Sequence, residues 1–363
     1  MLYLAYISLA FALFQFFNIV LNVVFMQKLK KTRTVNNELV SVLIPARNEE
    51  DNIGNLIKSL QKLDDKNIEI IVFDDQSSDK TAKIVSDFSK KDPRISLIKS
   101  DTLPGGWLGK NYACYSLAKH AKGKYYLFID ADVKLFNEII SDTVSTCKKY
   151  SLGLLSVFPK QLQVTIGEKV SVPIMNYILL TLLPLIFVRI SPFTSHAAAN
   201  GQFMLFPAEI YHKLQPHKVF KNSAVEDIKI SRYIKKNRIK IACIASEGRI
   251  SCRMYESYSE ALNGFAKNVF MFFGNQPLLA FLFWMFSSVG FVPVIYLKIN
   301  LIIPYIALII TTKLIVSIIS KQNVLTNLVL MPVQLLFLLH VIVKALFIKK
   351  NKNYLWKGRY IYS

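Results

Sequence analysis

The chain has 363 residues, 52% of them hydrophobic and 19% charged, with a formal net charge of +21 and a mean hydropathy of +0.33. That is too apolar for an ordinary soluble domain. The positive charge gathers beside the apolar ends, so it fits anionic lipid headgroups and argues against nucleic acid as a partner.

Residues 1–26 carry no charged side chain and are followed by Lys28, Lys30, Lys31 and Arg33. About 20 apolar residues cross a bilayer, and basic residues stay on its cytoplasmic side. The expectation is a transmembrane anchor over 1–27, its N-terminus outside, with the next domain cytoplasmic. A cleaved signal peptide is not indicated, because a basic start and a small-residue cleavage site are missing.

A mixed-charge domain is expected over 37–255. "LVSVLIPARN" (39–48) is a strand pattern, and Ile53, Leu56, Ile57 and Leu60 after it have helical spacing. "IEIIVFDD" (68–75) and the turn "QSSD" repeat the unit, with Ser78 or Asp79 able to cap a helix carrying Ala82, Ile84, Val85 and Phe88. The loop "DTLPGGWLGK" (101–110), a helix near 111–121 and the strand "YYLFID" follow. Such alternation predicts an α/β fold: a mostly parallel, Rossmann-like sheet with helices on both faces, whose ligands gather at the carboxyl ends of the strands.

The acids lie at those ends: Glu49 after the first strand, Asp74 and Asp75 on the second, Asp130 and Asp132 on a later one. Two carboxylates one residue apart repel unless a cation lies between them, and hard divalent cations prefer carboxylate oxygen. Asp130 and Asp132 are therefore the candidate ligands of Mg2+ or Mn2+, although Asp132 could instead cap a helix. Gly54 stands alone after the first strand and Gly109-Lys110 is followed by Asn111. Neither a dinucleotide fingerprint nor a Walker A loop is present. Cys114, Cys147, Cys243 and Cys252 lack C-x-x-C spacing and paired histidines, and read as reduced thiols.

Later in the chain, "VPIMNYILLTLLPLIFVRI" (172–190) is expected to lie in the membrane surface, with a buried core helix as the alternative. "HAAANGQFMLFPAEIYHKL" (196–214) contains a strand and Gly201, which allows close backbone approach. "NSAVEDIKISRYIKKNRIKI" puts Glu226 and Asp227 at a helix start, where the dipole alone would also favour them. From residue 261 onward there is no Asp or Glu. A membrane region is expected over 256–350, with candidate crossings at 276–297, 301–320 and 324–348, and a basic tail over 351–363. Three crossings would leave that tail outside, so the middle segment, with Pro304 and Lys313, is expected to be re-entrant or interfacial.

"VLIPARNEEDNIGNLIKSL", "VFDDQSSDKT", "GWLGKNYAC" and "LFIDADV" together resemble the nucleotide-sugar half of family 2 glycosyltransferases with the GT-A fold. "GLLSVFP" (153–159) and the terminal "WKGRYIYS" resemble the membrane-bound branch acting on carotenoid acids, the 4,4'-diaponeurosporenoate type. The resemblance runs from about Val42 to Phe270 and resumes at the tail. It implies that Pro45, Ala46, Arg47 and Glu49 line the nucleotide pocket and that Asp75 bonds the uracil. Lys110 would approach the donor, Asp132 ligate the metal, and Asp130 lie on the sugar or ribose side. Asp227 or Glu226 would be the base, and His196, Asn200 and Gly201 the acceptor contacts. Lys267 in "NGFAKN" would touch the diphosphate, in place of the absent Q-x-x-R-W of processive enzymes.

The function so implied is inverting transfer of a hexose, glucose being favoured, from a UDP-sugar to a lipophilic acceptor at the bilayer, in a multi-pass cell-membrane protein with a cytoplasmic catalytic domain. A polyprenyl-phosphate or glycerolipid acceptor is the close alternative. A transporter, or a non-catalytic nucleotide-binding membrane protein, is the alternative from another class. A transporter would need polar pathway residues, and only Lys313, His340 and Lys344 are ionisable in the C-terminal apolar segments. A non-catalytic protein would have lost its acids.

Overall fold

The computed structural model describes residues 1–29, 31–32, 37–100, 102–137, 139–351, 354–356 and 359–361, with side chains as far as residue 348. Lys30, Arg33, Lys352 and Lys357, and the side chains of Lys349, Lys350 and Arg359, lie outside the described residues. The chain divides into two compact units. One gathers Met1–Met26, Gln161–Ile186 and Met254–Asn353; the other gathers Gln27–Lys160, Phe187–Arg253 and Tyr354–Ser363.

The second unit is built on an eight-stranded sheet: β1 (Val40–Ala46), β2 (Ile68–Asp74), β3 (Ile95–Lys99), β4 (Tyr125–Ile129), β5 (Val133–Leu135), β6 (Leu154–Gln161), β7 (Phe203–Pro207) and β8 (Ile241–Cys252). Their spatial order is β3-β2-β1-β4-β7-β6-β8-β5. The half β3-β2-β1-β4 is parallel, as the alternation of strands and helices requires. Past β4 the observed pairs β4/β7, β6/β7 and β5/β8 are antiparallel. The parallel strands read as continuous apolar runs because they are covered on both sides: β1 and β4 are buried along nearly their whole length. The helix Ile53–Gln61 buries Ile53, Leu56, Ile57 and Leu60, the stripe expected from its spacing. In the helix Thr81–Ser89, Asp79 is the acceptor at the start, taking bonds from the Thr81 N–H at 2.9 Å and hydroxyl at 2.5 Å.

The first unit is helical. Leu2–Val24, Ile299–Ile319 and Met331–Ile348 are each long and apolar enough to cross a membrane. The middle C-terminal segment, expected to be re-entrant or interfacial, is a continuous helix. Lys313 is accommodated inside it, donating to Gln334 Oε1 at 2.6 Å and facing the Tyr177 ring at 4.9 Å. The break falls instead in the first candidate, 276–297, which is two helices, Pro277–Ser288 and Phe291–Leu297. Pro277–Ser288 also meets Tyr258–Phe273 at a bend of 98°. Left-handed Gly274 (φ 65°) and Asn275 (φ 65°), followed by Pro277 at the first helical position, make that corner.

The 172–190 stretch, expected as one helix on the membrane surface, is two helices, Pro173–Leu182 and Leu185–Ile190. Pro173 to Thr181 are all buried, so the first of these is enclosed by the unit rather than laid on lipid. Asn22 bridges the break before Pro184: its amide donates to the carbonyls of Leu180 (2.9 Å) and Leu183 (3.1 Å), and its Oδ1 accepts from Leu185 N–H at 2.7 Å. These are backbone groups that a helix break inside an apolar bundle would otherwise leave unsatisfied.

Candidate active site

Parallel pairing aligns Ala46 with Asp74, so the loops after β1 and β2 emerge side by side. They are laced together. Asn48 N–H donates to Ser77 Oγ (2.9 Å), Ser78 N–H to Asn48 Oδ1 (2.9 Å), Glu49 N–H to Thr81 Oγ1 (2.8 Å), and Glu50 N–H to Asp79 Oδ2 (3.0 Å). Arg47 joins this brace by donating to the carbonyls of Asp75 (2.6 Å) and Gln76 (3.3 Å). Pro45 and Ala46 close β1, and Asp74 and Asp75 are buried at the same edge.

Around Gly201 three further chain segments converge. Lys110, on the first turn of the helix Gly109–His120, places its ammonium 2.7 Å from Asp130 Oδ1 and 3.4 Å from Glu226 Oε1. Burial works against that charge, but the two carboxylates outweigh it and hold Lys110 well above the usual lysine range. Asp227, on the helix Glu226–Lys236, accepts from Gly201 N–H at 3.1 Å and from its neighbour Ile228 N–H at 2.8 Å. Its carboxyl is pushed up to about 6, by burial first and then by the charge of Glu226. A Cβ on residue 201 would stand 3.3 Å from Lys110 Nζ, 3.6 Å from Glu226 Oε1 and 3.7 Å from Asp227 Oδ2. Gly201 thus lies at the point where these three side chains meet.

Asp132 follows β4 by two residues. Cys252 donates to its Oδ2 at 3.1 Å, whereas its Oδ1 is buried with no hydrogen-bond partner among the described residues. Burial, then the charges of Asp130 and Glu49, push its pKa up. Nothing in this geometry makes Asp132 a helix cap. No group of three or more His, Cys, Asp or Glu among the described residues is arranged for a metal ion.

The expected acceptor residues are placed unequally. Gly201 is central. Asn200 uses Oδ1 to accept from Gln202 N–H at 2.8 Å, while its own N–H donates to Ser156 Oγ at 2.8 Å, so it shapes the turn. His196 stacks on Phe187 with centroids 5.5 Å apart and bonds Ser191 Oγ at 2.8 Å through Nδ1; its carbonyl accepts from Lys235 at 2.6 Å. Lys267 lies on the helix Tyr258–Asn268 of the helical unit.

Three residues at this site were not legible in the sequence. Cys252 reaches Asp132 through the strand pairing that sets Val133 opposite it, and Gln202, just before β7, reaches the Cys252 sulfur. Asn111, 1% exposed, donates to the carbonyls of Phe220 (2.8 Å), Lys221 (3.2 Å) and Ser223 (2.9 Å), fixing the loop that leads to Glu226. Only its place beside Lys110 in "GWLGKN" signalled it.

Residues 41–159 match the family model described as glycosyl transferase family 2. A 4,4'-diaponeurosporenoate glycosyltransferase of Staphylococcus haemolyticus is 28% identical over 249 residues, 66% of this chain, and the match spans 63% of that relative's length. The protein of that name in Staphylococcus aureus is 27% identical over 270 residues, covering 72% of this chain and 69% of its own. The mannosyltransferase of Pyrobaculum calidifontis solved with GDP-Man and Mn2+ superposes with a TM-score of 0.55 at 15% identity, over 95% of this chain and 99% of that one. At that identity the likeness establishes the fold, which is GT-A.

Proposed function

We propose, from a chain whose residues 41–159 are a family 2 glycosyltransferase domain, that the protein moves a hexose from a UDP-sugar to a lipophilic acceptor in the bilayer. The favoured product is a glucosyl ester of a carotenoid acid. One observation carries the reading: Lys110, Asp130, Glu226 and Asp227, from three separate elements, face one another around the single glycine Gly201. The diaponeurosporenoate names of the relatives support the acceptor class.

In this reading the braced loops of Pro45, Ala46, Arg47, Glu49 and Asp75 hold the nucleotide, and Lys110 sets its positive charge toward the donor. Asp132 and Asp130 would hold Mg2+ or Mn2+: their oxygens are the hard donors such an ion takes, and the buried, unpartnered Asp132 Oδ1 is a place for it. Among the described residues fewer than three such ligands are clustered, so donor oxygens would have to supply the others. When bound, the ion neutralises charge on the departing nucleoside diphosphate. An acceptor hydroxyl gives its proton to Asp227, whose raised pKa suits a base near neutral pH. An acceptor carboxylate arrives ionised, and then Asp227 and Glu226 only orient it.

The proposed topology places the catalytic domain in the cytoplasm. Leu2–Val24 crosses once, and Ile299–Ile319 and Met331–Ile348 cross out and back, while the bent pair stays on the cytoplasmic side. The basic tail then returns inside, consistent with its short strands Tyr354–Trp356 and Arg359–Ile361 grouping with the sheet-bearing unit.

The test is to incubate membranes with a panel of labelled UDP-sugars and Mn2+ and analyse the lipid fraction. Wild type labels a lipid with one sugar, and Asp132→Ala loses label by at least about 100-fold. Equal labelling by both would remove the role given to Asp132. A labelled polyprenyl phosphate or glycerolipid would keep the donor half of the proposal and replace its acceptor.

A further inference from the structure

Asp132 cannot set its own direction. It lies just beyond the end of β4, and Val133 immediately enters β5. What holds its side chain comes from a part of the chain 120 residues away: Cys252, the last residue of β8, paired opposite Val133. The Cys252 thiol has one hydrogen, and it goes to Asp132 Oδ2 at 3.1 Å. The sulfur in turn accepts from Gln202 Nε2 at 2.8 Å, and the Gln202 carbonyl accepts from Asp130 N–H at 3.4 Å. Gln202 and Cys252 are 5% and 1% exposed. The run Gln202, Cys252, Asp132 is thus a directed chain of hydrogen bonds inside the protein. It occupies one carboxylate oxygen and leaves the other, Oδ1, buried and without a partner.

We propose that Cys252, backed by Gln202, is a positioning residue that aims Asp132 Oδ1 at the divalent cation of the sugar donor. This rests on the metal role assigned to Asp132 above. A carboxylate that must meet a cation with one oxygen needs the other one tied, because free rotation would spread its charge over several directions. Outer partners of metal-ligating groups do this, and their loss typically weakens metal binding about 10-fold to 100-fold. A thiol suits the place because it has one hydrogen to give the carboxylate and a sulfur that accepts from Gln202.

The test uses full-length protein in detergent with UDP and no acceptor. Mn2+ binding is titrated by its electron paramagnetic resonance signal, a readout independent of turnover. Cys252→Ala is expected to bind Mn2+ about tenfold more weakly, whereas Cys252→Ser, which keeps a donor at nearly the same place, stays within about threefold of wild type. Gln202→Leu supplies a second variant and is expected to weaken binding in the same direction. Thermal melting shows which variants are folded. Wild-type Mn2+ affinity in folded Cys252→Ala and folded Gln202→Leu overturns the proposal. Asp132→Asn separates the two levels: if it loses Mn2+ while Cys252→Ala does not, only the positioning role fails, and if it keeps Mn2+, the metal reading of Asp132 fails with it.

Discussion

At the scale of single residues, the site is governed by how many carboxylates the fold forces together and how few cations answer them. Among the described residues Lys110 pairs with Asp130 and Glu226, and Asp227 accepts from two backbone N–H groups. Its folded-state pKa of about 6 lies above the ordinary value of 3.8, so the native chain holds that proton more tightly than the unfolded chain does. The stabilisation from this group is therefore full below about pH 4 and is lost as pH rises through about 6. Asp227→Asn should leave stability nearly unchanged at pH 4 and raise it by about 1–2 kcal/mol at pH 8, while transfer to a hydroxyl acceptor falls steeply. Thermal melts at the two pH values, paired with lipid labelling, check it. An equal shift at both pH values would show that the strain lies elsewhere. Arg47 makes a different point at this scale: the residue type was readable, but its bonds to the two loop carbonyls of Asp75 and Gln76 depend on the loop it faces.

At the scale of elements, the strands and helices of the first 135 residues follow from local pattern, because apolar runs, turn residues and the i, i+3, i+4 stripe act over a few residues. The elements that failed to follow were the apolar ones. Composition cannot distinguish a helix that spans a bilayer from one that is enclosed, and Pro173 to Thr181 proved buried within their unit while Ile190 is exposed. Nor did Pro304 and Lys313 break their helix, since Gln334 and the Tyr177 ring receive the lysine, whereas Gly274, Asn275 and Pro277 did turn a corner. Asn111 ties one element to another: it joins the helix of Lys110 to the loop before the helix of Glu226. Asn111→Leu removes the amide from all three carbonyls; those of Phe220 and Lys221 keep the N–H groups of Ser223 and Leu108, so the buried Ser223 carbonyl bears the loss. The change should cost about 1–3 kcal/mol of stability, with donor-dependent labelling falling alongside. A variant with wild-type melting and activity would show that water replaces the amide without penalty.

At the scale of the whole molecule, the proposed course of the chain is fixed by parity. Two crossings after the catalytic domain return the tail to the side from which it left, and a third would not. With Gln322→Cys in the loop between the last two spans, and a cysteine added after the last residue in a second variant, an impermeant thiol reagent should label only the first in intact cells. The four native cysteines are buried and free, which keeps the background low. Labelling of the added tail cysteine in intact cells would mean that Tyr258–Phe273 and Pro277–Ser288 together form a span.

The sequence by itself determined what depends on neighbours within a turn or a strand: the parallel α/β start, the acids at the strand ends, the glycine that admits close approach, and which stretches are apolar. It also carried the resemblance that names a donor chemistry. Only the tertiary structure decided which of those groups meet. Cys252 reaches Asp132 because β8 pairs with β5 in one register, and residues 161–186 leave the chain order of their domain to pack with the terminal helices. Both outcomes depend on contacts more than 100 residues apart in the chain. Strand register and helix packing select such contacts through burial summed over whole elements, so no short stretch of sequence contains them.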